Sequence, residues 1–155
     1  MEKIQVNEFI IAGLSLKTAT TNTNGQSALD CQHLWETFKN AGYAENIPDK
    51  LGDEIYGVYY KYDGDSSKPF FYFVGVRINP GANINHPIST LRVPGGTYLK
   101  MTSKGKMPGC VTDTWKAIWK ENYPRTYVVD FEVYDERSSN WNDAEVDVYL
   151  SIRNE

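Results

Sequence analysis

Only two cysteines and two histidines occur in the 155 residues, and none of the four lies near another at the spacing of metal ligands. That excludes a disulfide scaffold, a zinc site and a histidine-based catalytic cluster. Cys31 and Cys110 read instead as reduced, helix-borne small apolar residues, and His33 and His86 as surface histidines. No apolar run approaches the roughly 18 residues of a membrane span. No basic segment followed by an apolar one opens the chain at Met1-Glu2-Lys3-Ile4, so no secretory signal is visible and the expected location is cytoplasmic. Lys and Arg do not cluster, and the net charge is −4 with a pI near 5.2, which argues against a nucleic-acid surface and mildly favours cationic partners. No phosphate loop and no Ser/His/Asp arrangement is present, and neither a cofactor nor a metal is expected.

What the chain does have is aromatic side chains. They make up 14% of it, including Trp35, Trp115, Trp119, Trp141 and eleven tyrosines. The length suits one domain able to bury roughly 70% of its unfolded surface. The most informative stretch is Tyr127-Val128-Val129-Asp130-Phe131-Glu132-Val133-Tyr134-Asp135, which reads as a strand. Alternation puts Tyr127, Val129, Phe131 and Val133 on a core-facing side, and Val128, Asp130, Glu132 and Tyr134 on the other. Glu132 is then either an ordinary solvated charge or a carboxylate inside an aromatic-walled pocket, where it would be costly unless something pairs with it.

In chain order, Glu8 to Thr18 reads as a strand with Gly13 as a bulge. Ser27 to Asp30 resembles a capping box, and the helix after it carries Cys31, Leu34, Trp35, Phe38 and Ala41 at helical spacing before Gly42 closes it. Asn46 to Asp53 reads as a loop, followed by a hairpin of Ile55 to Tyr62 and Phe70 to Ile78. The pattern then restarts. Ile88 to Val93 and Thr97 to Thr102 are extended on either side of Pro94-Gly95-Gly96. A second helix carries Val111, Trp115, Ile118 and Trp119 and ends at Pro124, and strands follow at Tyr127 to Tyr134 and Ala144 to Ile152. The two halves, about 1–80 and about 88–155, rhyme as a repeat about 70 residues long, too long for a solenoid unit. Trp35 matches Trp115, and Tyr60 matches Glu132. The predicted fold is α+β: a tandem βαββ repeat whose pseudo-twofold-related halves form one curved antiparallel sheet, with two main helices and a cleft between the halves.

Several segments carry a family resemblance: Phe9-Ile10-Ile11-Ala12-Gly13-Leu14-Ser15, Leu34-Trp35-Glu36-Thr37-Phe38, Ile55-Tyr56-Gly57-Val58-Tyr59 and Phe73-Val74-Gly75. In the second half they are Val93-Pro94-Gly95-Gly96-Thr97-Tyr98, Thr114-Trp115-Lys116-Ala117-Ile118-Trp119, Asp130 to Asp135 and Glu145-Val146-Asp147-Val148-Tyr149. In these, nearly end to end, the sequence resembles the GyrI-like small-molecule-binding domain, also called the AraC-type effector-binding domain, and looks closest to stand-alone members such as those of integron cassettes. The resemblance implies a cleft for bulky, often cationic and aromatic molecules, with Glu132 facing it.

A flat cation gains from aromatic faces, and one desolvated carboxylate neutralises it without demanding a particular shape. The expected walls are Trp35, Tyr60, Tyr98, Trp115 and Trp119. Trp141 reads as a loop aromatic. Many relatives carry a helix-turn-helix before this domain, but the repeat starts by about Phe9 and leaves no room for one. Direct nucleic-acid or membrane binding is therefore not expected, a role in transcription would need a separate regulator protein, and the chain is read as a monomer or homodimer. The resemblance also admits a hydrolase of strained electrophiles, with Glu132 and Tyr60 or Tyr98 doing acid–base work. A third reading is a gyrase-inhibitor-like role between proteins.

Overall fold

The computed structural model describes residues 1–154. Its strands are β1 (Glu2–Val6), β2 (Phe9–Ser15), β3 (Lys50–Tyr60), β4 (Phe71–Ile78), β5 (Ser89–Val93), β6 (Gly96–Gly105), β7 (Arg125–Tyr134) and β8 (Ala144–Ile152). The helices are α1 (Gln26–Asn40), the single turn α2 (Tyr43–Asn46) and α3 (Gly109–Lys120). All eight strands join one antiparallel sheet in the order β1-β6-β8-β7-β3-β4-β2-β5. Exchanging β1 to β4 with β5 to β8 reverses this order onto itself. The sheet therefore has a pseudo-twofold between β3 and β7, and each half contributes a β-β-α-β-β unit.

Both faces of the sheet are buried, by different means. On one face α1 packs over β2 and β4 around Phe38, Tyr72, Val74 and Val76, and α3 packs over β6 and β8 around Trp115, Ile118, Val148 and Leu150. The opposite face carries no helix among the described residues. Its single cluster draws on all eight strands, from Val6 and Phe9 through Val58, Phe73, Val93, Tyr98 and Phe131 to Tyr149. Residues so far apart across a sheet meet only if the sheet curls around them, so this face is the concave one. The apolar side of β7 (Val129, Phe131, Val133) faces this cluster, and Asp130 and Glu132 face the helices.

The structure departs from the sequence reading in several places. β1 lies ahead of the first strand expected from the sequence, which starts at Glu8; it pairs antiparallel with β6. Gly13 is not a bulge: it pairs in continuous register with Gly75, and a Cβ on it would lie 1.9 Å from the Val74 carbonyl oxygen, so glycine serves close approach of β2 to β4. No capping box forms at Ser27 to Asp30. The residue before α1 is Gly25, Ser27 Oγ donates to Asn22, and Asp30 accepts from Thr20 and Gln26. The loop assigned to 46–53 is shorter, since β3 starts at Lys50, and α3 ends at Lys120, ahead of Pro124. The match of Tyr60 with Glu132 fails on phase. A twofold normal to the sheet keeps each residue on its own face, and Tyr60 lies on the concave face while Glu132 lies on the helix face.

Candidate functional site

Glu132 sits where the halves meet. It is 1% exposed, on β7 beside β3 and under the space between α1 and α3. Directly across from it is Gly57, where a Cβ would lie 2.0 Å from Tyr72 Oη and 3.0 Å from Glu132 Oε1. The missing side chain is what lets the Tyr72 hydroxyl pass over β3 to the carboxylate.

Four donors close on the two oxygens. Tyr59 Oη and Trp115 Nε1 each donate to Oε2 at 2.7 Å, and Tyr134 Oη and Tyr72 Oη donate to Oε1 at 2.7 and 3.2 Å. A second layer begins with Trp35, whose Nε1 donates to Tyr72 Oη at 2.9 Å. The rings also pack on one another. Tyr59 lies 4.8 Å from Tyr72 and 4.9 Å from Trp115, and Trp35 stands edge-on to Tyr134 at 4.8 Å. The result is an aromatic cage drawn from both halves: Trp35, Tyr59 and Tyr72 from the first, Trp115 and Tyr134 from the second.

Its electrostatics follow from burial. Loss of water raises the pKa of Glu132 above the usual carboxylate value, and the four hydrogen bonds pull it back by favouring the ionised form. The phenols of Tyr59, Tyr72 and Tyr134 are pushed well above the ordinary range, first by burial and then, for each, by the charge of Glu132. They remain neutral donors. The Cys31 thiol, on α1, is raised by burial and then by the same charge, so it is a neutral thiol and not a nucleophile.

Asp130, two residues before Glu132 on the same face, is fully buried and forms a second polar centre. Arg125 Nη2 and Tyr62 Oη each donate to its Oδ2 at 2.6 Å, and the Ser151 amide donates to Oδ1 at 3.0 Å. The Arg125 guanidinium also lies 4.3 Å from the Tyr127 ring and 5.8 Å from that of Trp115. Tyr127 reaches this place through a left-handed backbone (φ 55°), where the pairing of β7 with β8 shifts register.

Of the residues expected from the sequence, Glu132, Trp35 and Trp115 come together. Tyr60 and Tyr98 do not. Both belong to the concave-face cluster, where Tyr60 pairs with Ser15 Oγ and Tyr98 donates to the Pro94 carbonyl. Trp119 is 42% exposed. His33, His86 and Trp141 are exposed as expected. Tyr59, Tyr72 and Tyr134 were missed as partners of Glu132, although Tyr134 had a signal, being two residues from it on the same strand face. Among the described residues no group of His, Cys, Asp and Glu is placed to hold a metal, and no helix is long and apolar enough to cross a membrane.

Comparison with known proteins gives this arrangement its context. A Bacillus subtilis (strain 168) protein named "Putative transcriptional regulator protein YobU" is 28% identical over 149 residues, spanning 92% of this chain and 91% of its own. An integron cassette protein from the mobile metagenome of Vibrio cholerae, VCH_CASS2, has the same fold, with a TM-score of 0.75 and 22% identity over 98% of this chain and 95% of its own. So has SAV2435, solved bound to tetraphenylphosphonium, with a TM-score of 0.77 and 14% identity over 99% of this chain and 93% of its own. The model of the Cass2 family, integron-associated effector binding proteins, matches residues 4–152, and the chain belongs to that family.

Proposed function

We propose that the protein binds bulky aromatic cations, with Glu132 as counter-charge and Trp35, Tyr59, Tyr72, Trp115 and Tyr134 as the surrounding surface. The observation that carries this reading is the buried carboxylate itself. It accepts hydrogen bonds from four neutral donors and is ringed by π faces, with no cationic side chain among its four hydrogen-bond partners. An incoming cation supplies the charge that the cage lacks, and each desolvated ring face adds about 2 kcal/mol of cation–π attraction. Trp35 is half-buried and holds the carboxylate only through Tyr72, which makes it the ring that yields first. Tetraphenylphosphonium bound to SAV2435, which shares the fold, is a ligand of this kind. The name of the B. subtilis relative supports a regulatory output. Hydrolysis fits the cage less well. Each Glu132 oxygen already accepts two hydrogen bonds, and Tyr60 and Tyr98, the expected acid–base partners, lie on the other face of the sheet.

Tetraphenylphosphonium and tetraphenylborate, alike in shape and opposite in charge, make the direct test. Tryptophan fluorescence is expected to quench saturably with the phosphonium and not with the borate. Glu132→Gln should weaken the phosphonium by about tenfold or more, on the order of 1.4 kcal/mol. Equal responses to the two ions, or an unchanged affinity in the variant, would rule the reading out.

A further inference from the structure

The concave face holds a groove of about 540 Å³ that none of the cage residues lines. Tyr56 and Tyr149, half-buried, form its aromatic wall, with the buried rings of Phe9 and Phe131 packed behind them. Phe131 and Tyr149 stack at 4.5 Å and 13°, Phe9 stands edge-on to Phe131 at 5.5 Å, and Tyr56 lies 5.3 Å from Phe9. The volume is in the range of small-molecule sites, and aromatic walls with a few polar groups are their usual lining.

The charges along this groove are unequal in how they are used. Asp135 is held by both the Nε and Nη2 of Arg137, which keep its carboxyl below the usual range. Glu54 leans back along its own strand, its Oε2 lying 2.2 Å from where a Cβ would sit on Gly52. Arg77 is exposed and forms no ion pair among the described residues. Its guanidinium carbon lies 5.0 Å from the Phe9 ring centroid and the group also hydrogen-bonds the Tyr56 hydroxyl, so the fork sits at the groove with part of its N–H donors engaged by the wall. Such a fork matches a carboxylate with two parallel hydrogen bonds.

We infer that this groove is a second ligand site, taking a flat aromatic monoanion of the aryl carboxylate class. The ring lies against the half-buried Tyr56 and Tyr149, and Arg77 receives the carboxylate. The site is separate from the Glu132 cage and of opposite charge preference, since Phe131 and Glu132 are neighbours on β7 that face opposite sides of the sheet.

2-Naphthoate is the probe, with 2-naphthalenemethanol as its neutral counterpart and 1-methylquinolinium as a cation of similar shape. No tryptophan lines the groove. In ¹⁵N-labelled protein the indole N–H signals therefore watch the cage, and the backbone amides of Val6, Tyr56, Arg77 and Tyr149 watch the groove. Naphthoate is expected to shift the groove amides saturably, the other two probes far less. Arg77→Leu, a change at an exposed position, should weaken naphthoate about tenfold, and Glu132→Gln should leave it unchanged. Several results would overturn the site: no saturable shift, shifts centred on the Trp35 and Trp115 indoles, equal binding of all three probes, or undiminished binding to Arg77→Leu.

Discussion

At the residue scale, the chemistry turns on one carboxylate whose pKa burial has raised from an ordinary 4.5, against the pull of four donors. Two opposite pH effects follow. As pH falls through the raised pKa the charge is lost, so affinity for a cation of fixed charge declines on acidification, beginning above the range of an exposed glutamate. Stability runs the other way: this group's contribution is full below the unfolded value and is lost as pH rises through the raised folded one. Calorimetric titration of tetraphenylphosphonium and thermal unfolding across this window should show the two trends crossing, and Glu132→Gln should flatten both. Affinity that stays constant down to pH 4.5 would contradict the assignment. The position of Glu132 was legible in the sequence because a period of two needs only one strand. Its partners were less so. Tyr59 and Tyr60 are adjacent, and only the parity of the β3–β7 register says which one faces the carboxylate. Tyr72 reaches it because Gly57 is bare, a relation between strands that no single stretch encodes.

Between elements, the two helices that cover the cage are held unequally. α3 buries Cys110, Val111, Trp115 and Ile118, whereas α1, three residues longer, buries only Phe38, and neither helix has a side-chain cap at its start. Local opening is easiest where few apolar contacts would be lost. Hydrogen exchange should therefore be faster along α1 than along α3, and a bound cation should protect α1 the more. Slower exchange in α1, or protection confined to α3, would move the entrance elsewhere. Both helices were legible from their apolar spacing, as were the main strands from alternation. The start of α1 was not, because Ser27 and Asp30 are engaged by Asn22, Thr20 and Gln26 and not by the helix backbone. β1 was not either, since its pairing with β6 is a long-range choice made by the curl of the sheet.

For the whole molecule, the seam between the halves is more than the β3–β7 pairing. Two buried carboxylates on β7 bind groups from both sides: Glu132 takes Tyr59 and Tyr72 from the first half, and Asp130 takes Tyr62 from the first half and Arg125 from the second. The Arg125 guanidinium is itself buried, and its Nε has no partner among the described residues, so there Asp130 carries nearly all of its compensation. Asp130→Asn keeps the shape but leaves a buried cation unpaired, a change that costs about 3–5 kcal/mol. Because the pair stands at the seam, the loss should lower one cooperative transition for both halves, with circular dichroism and tryptophan fluorescence coinciding during urea unfolding. Replacing both members, as Arg125→Met with Asp130→Leu, removes the unpaired charge along with its partner and should recover much of that loss. If the double variant were as unstable as the sum of the single ones, the pair would not be coupled. If the two probes separated, the halves would be folding units that the seam only brings together.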